Sequence, residues 1–582
     1  MKMIMLGNEA VARGLYDAGV CFASSYPGTP STEITAAIAK YEGVYCEWAP
    51  NEKVSLEAAW GASLGGRRAF SGMKHVGLNV AADPLFTMSY TGVNAGVVVA
   101  VADDPGMHSS QNEQDSRHYA VSSKVPMLEP SDSSECYLYT KYAYELSEEY
   151  DTPVLVRLCT RISHSQSVID AGERVLPPIK PYEKNIGKNV MMPSTAVFRH
   201  PIVEERTQKL AALAEISPLN RIEWGGTDVG IICAGTSYCY VKEICGVDVS
   251  VLKLGIIYPM PDRMICEFAS KVKKLIVVEE LDPFIENHVK SLGIKCSGKD
   301  MLPICGEFTP NIVAKALGYP FAEGPEFDAA LPVRPPVMCA GCSHRGVFYT
   351  LAKLGTTVFG DIGCYTLGAG APHRSMDTSL CMGTSVSGLH GFMHAEGNEA
   401  AKNCVCVIGD STFIHSGVTG LIDIAYNGGD STVIILDNST TGMTGHQENP
   451  STGINIWGEP AGKIDLEALC RSLGIKRVRV TDPYDLAACE TAIKEETAAK
   501  EPSVIIARRP CALLKKVKNN PPLFIDEDKC RGCMMCMKIG CPALTSAGKK
   551  IKLDATLCVG CEVCTQLCKF EAFKNNRAEA DA

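Results

Sequence analysis

The 582-residue sequence has no apolar run near the ~18 residues a bilayer-crossing helix requires; residues 96–102 make only a strand-length run. It has no basic excess. Its 56 Lys and Arg stand against 66 Asp and Glu, a formal net charge of −10, which argues against nucleic acid as the main partner. The N-terminal MKMIMLGNEAVARG has too short an apolar part for a secretory leader and meets a charge early, so a cytoplasmic location is expected. No repeat of 20–50 residues is visible along the body of the chain. With 46% hydrophobic and 21% charged residues, the composition excludes disordered and fibrous classes. At roughly 100–200 residues per domain, three to five domains are expected.

What the sequence does have is cysteine, 27 in all. A secreted disulfide scaffold would be short. In a cytosolic chain of this size, clustered cysteines point to metal or redox work.

Three stretches read as linkers: the charged and polar residues 183–208, the five-proline stretch 319–337, and KVKNNPPL at 515–522. They divide the chain into pieces at 1–182, 209–318, 338–514 and 523–582. Apolar runs at 97–102, 154–158, 229–233, 274–278, 404–408 and 432–436 are bounded by turn residues and separated by helix-length segments. This pattern predicts α/β domains with parallel sheets covered on both faces.

Residues 530–568 carry eight cysteines in 39 residues. They fall into two sets, Cys530, Cys533, Cys536, Cys541 and Cys558, Cys561, Cys564, Cys568, each opening C-x2-C-x2-C. This is the ligand run of a two-cluster bacterial ferredoxin, in which each fourth Cys serves the other cluster. One 4Fe–4S site is therefore assigned to Cys530, Cys533, Cys536 and Cys568, and the other to Cys541, Cys558, Cys561 and Cys564. The first set has four residues before its fourth Cys rather than three, and Lys569 rather than Pro follows the second. Neither departure removes a ligand. Zinc sites use pairs of C-x2-C, not triples.

Residues 404–445 place Gly409-Asp410-Ser411 after one apolar strand and Asp437-Asn438 after a second. This resembles the thiamine diphosphate motif, Gly-Asp-Gly followed by a distant Asn, with Ser411 in place of the last Gly. Asp410 and Asn438 would lie at the carboxyl ends of adjacent strands, where α/β sheets bind ligands. Mg2+ takes oxygen ligands in octahedral geometry, for which Asp410, Asn438 and the Thr440 carbonyl are suited. The helix start at Ser411 would favour the diphosphate.

Thiamine chemistry also needs a Glu facing N1′ of the aminopyrimidine. In NEKVSLEAAWGASLGG (51–66), Glu57 is followed by small residues that allow close approach, and Glu52 competes with it. Upstream, SYPGTPSTE (25–33) reads as a tight turn into a helix.

Together SYPGTPSTE, NEKVSLEAAWGAS, GRRAFSGMKHVGLN (66–79), CAGCSHRG (339–346), GDIGCYTLG (360–368), MGTSVSGLHG (382–391), GDS…LDNSTTGMTG and the cysteine tail resemble the α subunits of indolepyruvate:ferredoxin oxidoreductases, of the 2-oxoacid:ferredoxin oxidoreductase family, over nearly the whole chain. The resemblance implies doubly wound thiamine-diphosphate-binding-type domains plus a small C-terminal α+β ferredoxin domain: a pyrimidine-binding domain at 1–182, a transketolase-C-terminal-like domain at 209–318, a diphosphate/Mg2+ domain at 338–514 and a two-cluster ferredoxin-type domain at 523–575. It implies thiamine diphosphate, Mg2+ and 4Fe–4S clusters as cofactors. Thr29, Glu57, Gly383, Ser385, Gly409, Asp410, Ser411 and Asn438 are the expected cofactor residues, with Asp410, Asn438 and Thr440 on Mg2+. Glu57, His75 and His344 are the expected catalytic residues, with Arg345 a candidate for the diphosphate or substrate carboxylate and Lys74 and His390 for the substrate pocket. A third, proximal cluster would use Cys339, Cys342, Cys364 and Cys511. The implied partners are a smaller β subunit in αβ pairs, ferredoxin, coenzyme A and a 2-oxoacid; the implied reaction is anaerobic oxidative decarboxylation of an arylpyruvate. Pyruvate or phenylglyoxylate as substrate, a non-oxidative thiamine decarboxylase or carboligase, and a pure electron-transfer scaffold are the alternatives.

Overall fold

The computed structural model describes all residues except 322–323, 325–331, 333–334, 396–400, 402, 549 and 576–582. Most of the proline-rich stretch 319–337 thus lies outside the described residues. The chain forms two compact units, residues 1–328 and 329–582.

In the first unit, seven strands form one sheet in the order Ile256–Tyr258, Met127–Leu128, Val154–Cys159, Val97–Asp103, Ala69–Lys74, Phe22–Ser25, Tyr45–Trp48. All neighbours are parallel except the edge strand Ile256–Tyr258, which runs antiparallel to Met127–Leu128. A second sheet holds Lys274–Val278, Val229–Ala234, Ser250–Leu254 and the short antiparallel Arg221–Glu223. The two sheets share one core. Val97, Val99 and Val101 of the first pack in the same cluster as Ile232, Leu252 and Val277 of the second. The pieces expected at 1–182 and 209–318 are therefore one body, and the second lends a strand to the first's sheet.

The linker expected at 183–208 is largely helix, Pro193–Ala214. Its inner face buries Val203, Leu210 and Ala214 together with Arg199 and Arg206. Arg199 donates to the Tyr90 carbonyl (2.6 Å) and Arg206 to Ser89 Oγ (2.8 Å). Arginine stems cover apolar surface here while their heads find oxygen, so the helix lacks an apolar stripe that sequence pattern would reveal.

In the second unit, Thr357–Phe359, Cys404–Gly409, Thr432–Asp437, Ser503–Arg508 and Arg477–Thr481 form a wholly parallel sheet in that order. Strand side chains alternate between faces. Cys406, Ile408, Val433, Ile435, Val504 and Ile506 enter one core with helices Thr384–Met393, Val418–Asn427 and Leu466–Ser472. Val405, Val407, Ile434, Leu436 and Ile505 enter the other with Arg345–Leu354 and Leu486–Thr497. Both faces are covered, the doubly wound arrangement expected of near-continuous apolar strands. The cysteine tail adds two small antiparallel pairs, Leu523–Ile525 with Phe573–Asn575 and Leu544–Ala547 with Lys550–Leu553. It packs on the body through Leu486, Tyr349 and Tyr484.

Candidate functional site

Open parallel sheets bind ligands beyond their strands' carboxyl ends. In the second unit those ends carry Asp361, Asp410, Asn438 and Cys511, one from each of four adjacent strands. Asp410 and Asn438, expected from sequence, come together with Thr440. Asn438 Nδ2 lies 3.3 Å from His344 Nε2. In that orientation its side-chain oxygen faces only acceptors, 2.8 Å from the Thr440 carbonyl and 3.3 Å from Asp410 Oδ1. Without a cation, reversing the amide would turn both clashes into hydrogen bonds. With one, no reversal is needed: oxygens ~2.1 Å from Mg2+ in an octahedron stand about 3.0 Å apart along each edge. The spacing and the donor set fit the ion.

The surroundings agree. Asp410 is buried, and burial, with Asp437 nearby, pushes its carboxyl up to about 7. Its Oδ2 accepts from Ser451 Oγ (3.2 Å) and faces Asn449 Nδ2 (3.4 Å), leaving Oδ1 toward the oxygen cluster. Burial lowers the His344 imidazole to about 4, so near neutral pH its Nε2 can accept from Asn438. The chain after Gly409 is helical from Asp410 to Asn427, interrupted by a π-turn over Phe413–Gly417, a feature common at functional sites. Ser411 accepts from Thr441 Oγ1 at 3.0 Å.

Other expectations are corrected. The Gly383 and Ser385 amides, expected to approach phosphate, donate instead to the buried Asp361 carboxylate at 3.0 Å. Asp361 was missed in sequence because its role is to hold that turn; its place at the end of a strand was the available signal. Arg345, a candidate for the diphosphate or substrate carboxylate, donates to four backbone carbonyls. His390 packs on His394 and beside Gly429, in the last turn of its helix.

The four thiols at Cys339, Cys342, Cys364 and Cys511 converge. Cys342 feels the charge of Cys339 and Cys364, Cys364 that of Cys511 and Cys339, and Cys511 that of Cys339. The set adjoins the oxygen cluster: a Cβ added to Gly442 would lie 3.3 Å from Cys364 Sγ and 3.7 Å from Asn438 Nδ2. In the tail, Cys530, Cys533, Cys536 and Cys568 line one cavity and Cys541, Cys558, Cys561 and Cys564 another, the crossed pairing expected from spacing. A tetrahedral zinc site with Zn–S of ~2.3 Å would hold its sulfurs about 3.8 Å apart. Among the described residues no three cysteine sulfurs lie within 4.8 Å of one another. Such wide sets suit the outer corners of a cubane.

In the first unit, the carboxyl ends carry Glu52, Lys74, His75 and Asp104. Asn51 caps helix Glu52–Leu64 by accepting from the Val54 amide (2.9 Å), which puts Glu52 at the first helical position just beyond strand Tyr45–Trp48. Glu52 is buried, and its carboxylate fills the space that a Cβ at Gly77 would take, 2.6 Å from Oε1. Glu57 lies one turn further along on the solvent face, nearly half exposed and paired with Lys53. Of the two glutamates weighed from sequence, Glu52 is the buried one and Glu57 the exposed one. Lys74 donates to the Ser109 carbonyl (2.8 Å), and burial lowers its ammonium to about 8. His75 is fully buried, and burial lowers its imidazole. Thr29 is half-buried in the loop after Phe22–Ser25, which Asn8 anchors by donating to the Pro30 carbonyl (2.7 Å).

These geometries accompany two domain matches. Residues 13–214 match the family of "Pyruvate flavodoxin/ferredoxin oxidoreductase, thiamine diP-bdg", and residues 361–507 match "Thiamine pyrophosphate enzyme, C-terminal TPP binding domain". The fold and the carboxyl-end residues define a thiamine-diphosphate-dependent enzyme. Indolepyruvate oxidoreductase subunit IorA of Archaeoglobus fulgidus is 40% identical over 98% of this chain and 97% of its own length; that of Pyrococcus horikoshii is 40% identical over 99% and 97%. The 2-oxoglutarate synthase subunit KorA of Methanocaldococcus jannaschii is 27% identical over 47% of this chain and 87% of its own. The chain belongs to the 2-oxoacid:ferredoxin oxidoreductase family, in its group of IorA subunits. No described helix is long and apolar enough to cross a membrane.

Proposed function

We propose that the chain is the catalytic subunit for oxidative decarboxylation of arylpyruvates, indolepyruvate foremost, to the aryl-acetyl thioester of coenzyme A with ferredoxin as electron acceptor. The observation that carries this reading is the shared wall at Gly442: a three-oxygen Mg2+ cluster and a four-thiol set stand side by side. Only a carbanion that must lose electrons needs both.

Thiamine diphosphate supplies, when bound, the nucleophilic carbon and the electron sink for loss of CO2. The chain's own residues do the rest. Asp410, Asn438 and the Thr440 carbonyl hold the cation, and hence the diphosphate. His344, neutral at Nε2, accepts from the Asn438 amide and keeps its oxygen on the metal. Glu52, buried beside Gly77, holds the proton at N1′ of the aminopyrimidine that favours its imino form. Lys74 offers a buried positive charge to the substrate carboxylate. Cys339, Cys342, Cys364 and Cys511 hold a proximal 4Fe–4S cluster, and the tail sets hold two more. A smaller β subunit paired with this chain and a cytoplasmic location complete the reading; the family membership supports the paired subunit.

The test is anaerobic reduction of a viologen dye by the purified complex. Coenzyme A-dependent reduction is expected, faster with indolepyruvate than with pyruvate or phenylglyoxylate. Aldehyde release without dye reduction would assign a non-oxidative decarboxylase instead.

A further inference from the structure

Arg345 opens helix Arg345–Leu354 and is buried, 5% exposed. A buried guanidinium ordinarily meets a carboxylate. Among the described residues Arg345 meets none within ion-pair distance. Its Nη1 donates to the carbonyls of Ile539 (3.1 Å) and Gly540, and its Nη2 to those of Met338 and Cys339 (2.9 Å). One pair of carbonyls stands at the entry to the CAGC turn, Met338 just before it and Cys339 its first residue, and the other belongs to the residues just before Cys541. The fork therefore ties the proximal thiol set to the nearer tail set.

A second contact sits beside the first. Gly341, in the left-handed region at φ +65°, leaves room for Val559: an added Cβ would stand 2.1 Å from Val559 Cγ2. Gly341 lies between Cys339 and Cys342, and Val559 between Cys558 and Cys561, so the two C-x2-C turns touch directly. Cys342 and Arg345 line the same cavity as Cys541, Cys558, Cys561 and Cys564. The Arg345 charge also acts on one thiol of each set, Cys342 and Cys561.

We propose that Arg345 is the positioning residue of an electron-transfer junction between the Cys339/Cys342/Cys364/Cys511 site and the Cys541/Cys558/Cys561/Cys564 site, fixing their separation and placing one buried positive charge between them. The inference rests on the cluster reading given above. Each transfer takes one electron from the first cluster, 1+ to 2+, and adds it to the second, 2+ to 1+; no bond or proton changes. Both reduced states are more negative than the oxidised ones, and in a low-dielectric site a fixed cation favours both. Its four hydrogen bonds hold the edge-to-edge distance, on which the transfer rate depends steeply.

The experiment is an EPR-monitored redox titration of the whole complex, as wild type, Arg345→Met and Arg345→Lys, with an iron and acid-labile sulfide count on each. Arg345→Met is expected to move the potentials of the two junction clusters to more negative values and to leave the Cys530/Cys533/Cys536/Cys568 cluster unmoved. Arg345→Lys keeps the charge and loses the fork; it is expected to hold the potentials while weakening the magnetic coupling between the two reduced junction clusters. Full iron with unchanged potentials in Arg345→Met overturns the electrostatic role. Unchanged coupling in Arg345→Lys overturns the positioning role, and that variant decides alone if Arg345→Met loses iron. A wild-type count of about eight irons per chain rather than about twelve places the failure in the cluster reading, and the junction falls with it.

Discussion

Glu52 and Glu57 stand five positions apart on one helix and differ in everything that matters to a proton. Glu52 caps the sheet's carboxyl edge, buried beside Gly77; Glu57 is in water, tied to Lys53. Glu52→Gln is expected to cut dye reduction by roughly 10²–10⁴-fold, the usual worth of a positioned proton-transfer group, and Glu57→Gln to leave it within about twofold. Steady-state rates on both variants check this. Of the small residues after Glu57, Ala59 is buried while Gly61 faces open space, so small size alone does not mark the buried carboxylate. The informative signal was Asn51, whose capping side chain fixes where the helix starts and so which Glu meets the sheet end.

Asp410 gives a pH prediction. Burial pushes its folded carboxyl up to about 7, above the ordinary aspartate range, so the metal-free protein keeps a proton that the unfolded chain releases. The sign follows: stability of the metal-free protein falls as pH rises from about 4 to 7. Mg2+ binding displaces that proton, so apparent Mg2+ affinity should rise roughly tenfold per pH unit up to about pH 7 and then level off. Thermal unfolding with and without Mg2+ between pH 6 and 8 measures it. His344→Ala, which frees the Asn438 amide to turn, should weaken Mg2+ binding by about 10–100-fold.

At the scale of elements, the strands were legible. All six apolar runs are strands in the structure, each within one residue of its expected limits. Parallel strands buried on both faces announce themselves as continuous Val and Ile. Three things were not legible. The helix at Pro193–Ala214 hides its inner face behind two arginines. The antiparallel strand Ile256–Tyr258 joins a sheet whose other strands are distant in sequence, and local pattern carries no record of such a pairing. The Gly383–Ser385 turn reads as a phosphate loop, yet its amides belong to Asp361. Among element contacts, the Gly341–Val559 turn is an exacting one. Gly341→Ala meets both a clash and an unfavourable φ, and is expected to make the tail more susceptible to limited proteolysis and to lower iron content. Val559→Ala alone should be mild.

For the whole molecule, the thiol sets give a prediction of metal content. Complexes purified without oxygen should carry about twelve irons and twelve sulfides per chain and exclude stoichiometric zinc, because no described triplet of sulfurs closes to a tetrahedral site. Elemental analysis tests it. The tail's pairing of cysteines was readable from spacing alone, because the loop C-x2-C-x2-C admits few geometries. The proximal set was readable only through resemblance, since its four cysteines come from three separate segments.

The tail is also pinned. Arg345 grips Ile539 and Gly540, Gln566 donates to the Tyr484 carbonyl and accepts from the Leu486 amide, and the tail's core is continuous with the body's. On the proposed reading, a domain held by these contacts would act as a wire and not a shuttle. The recipient has to come to the protein, and of the eight tail cysteines only Cys533 is exposed. Delivery then becomes a matter of encounters at one surface point, and its pace is set by how often a carrier arrives there.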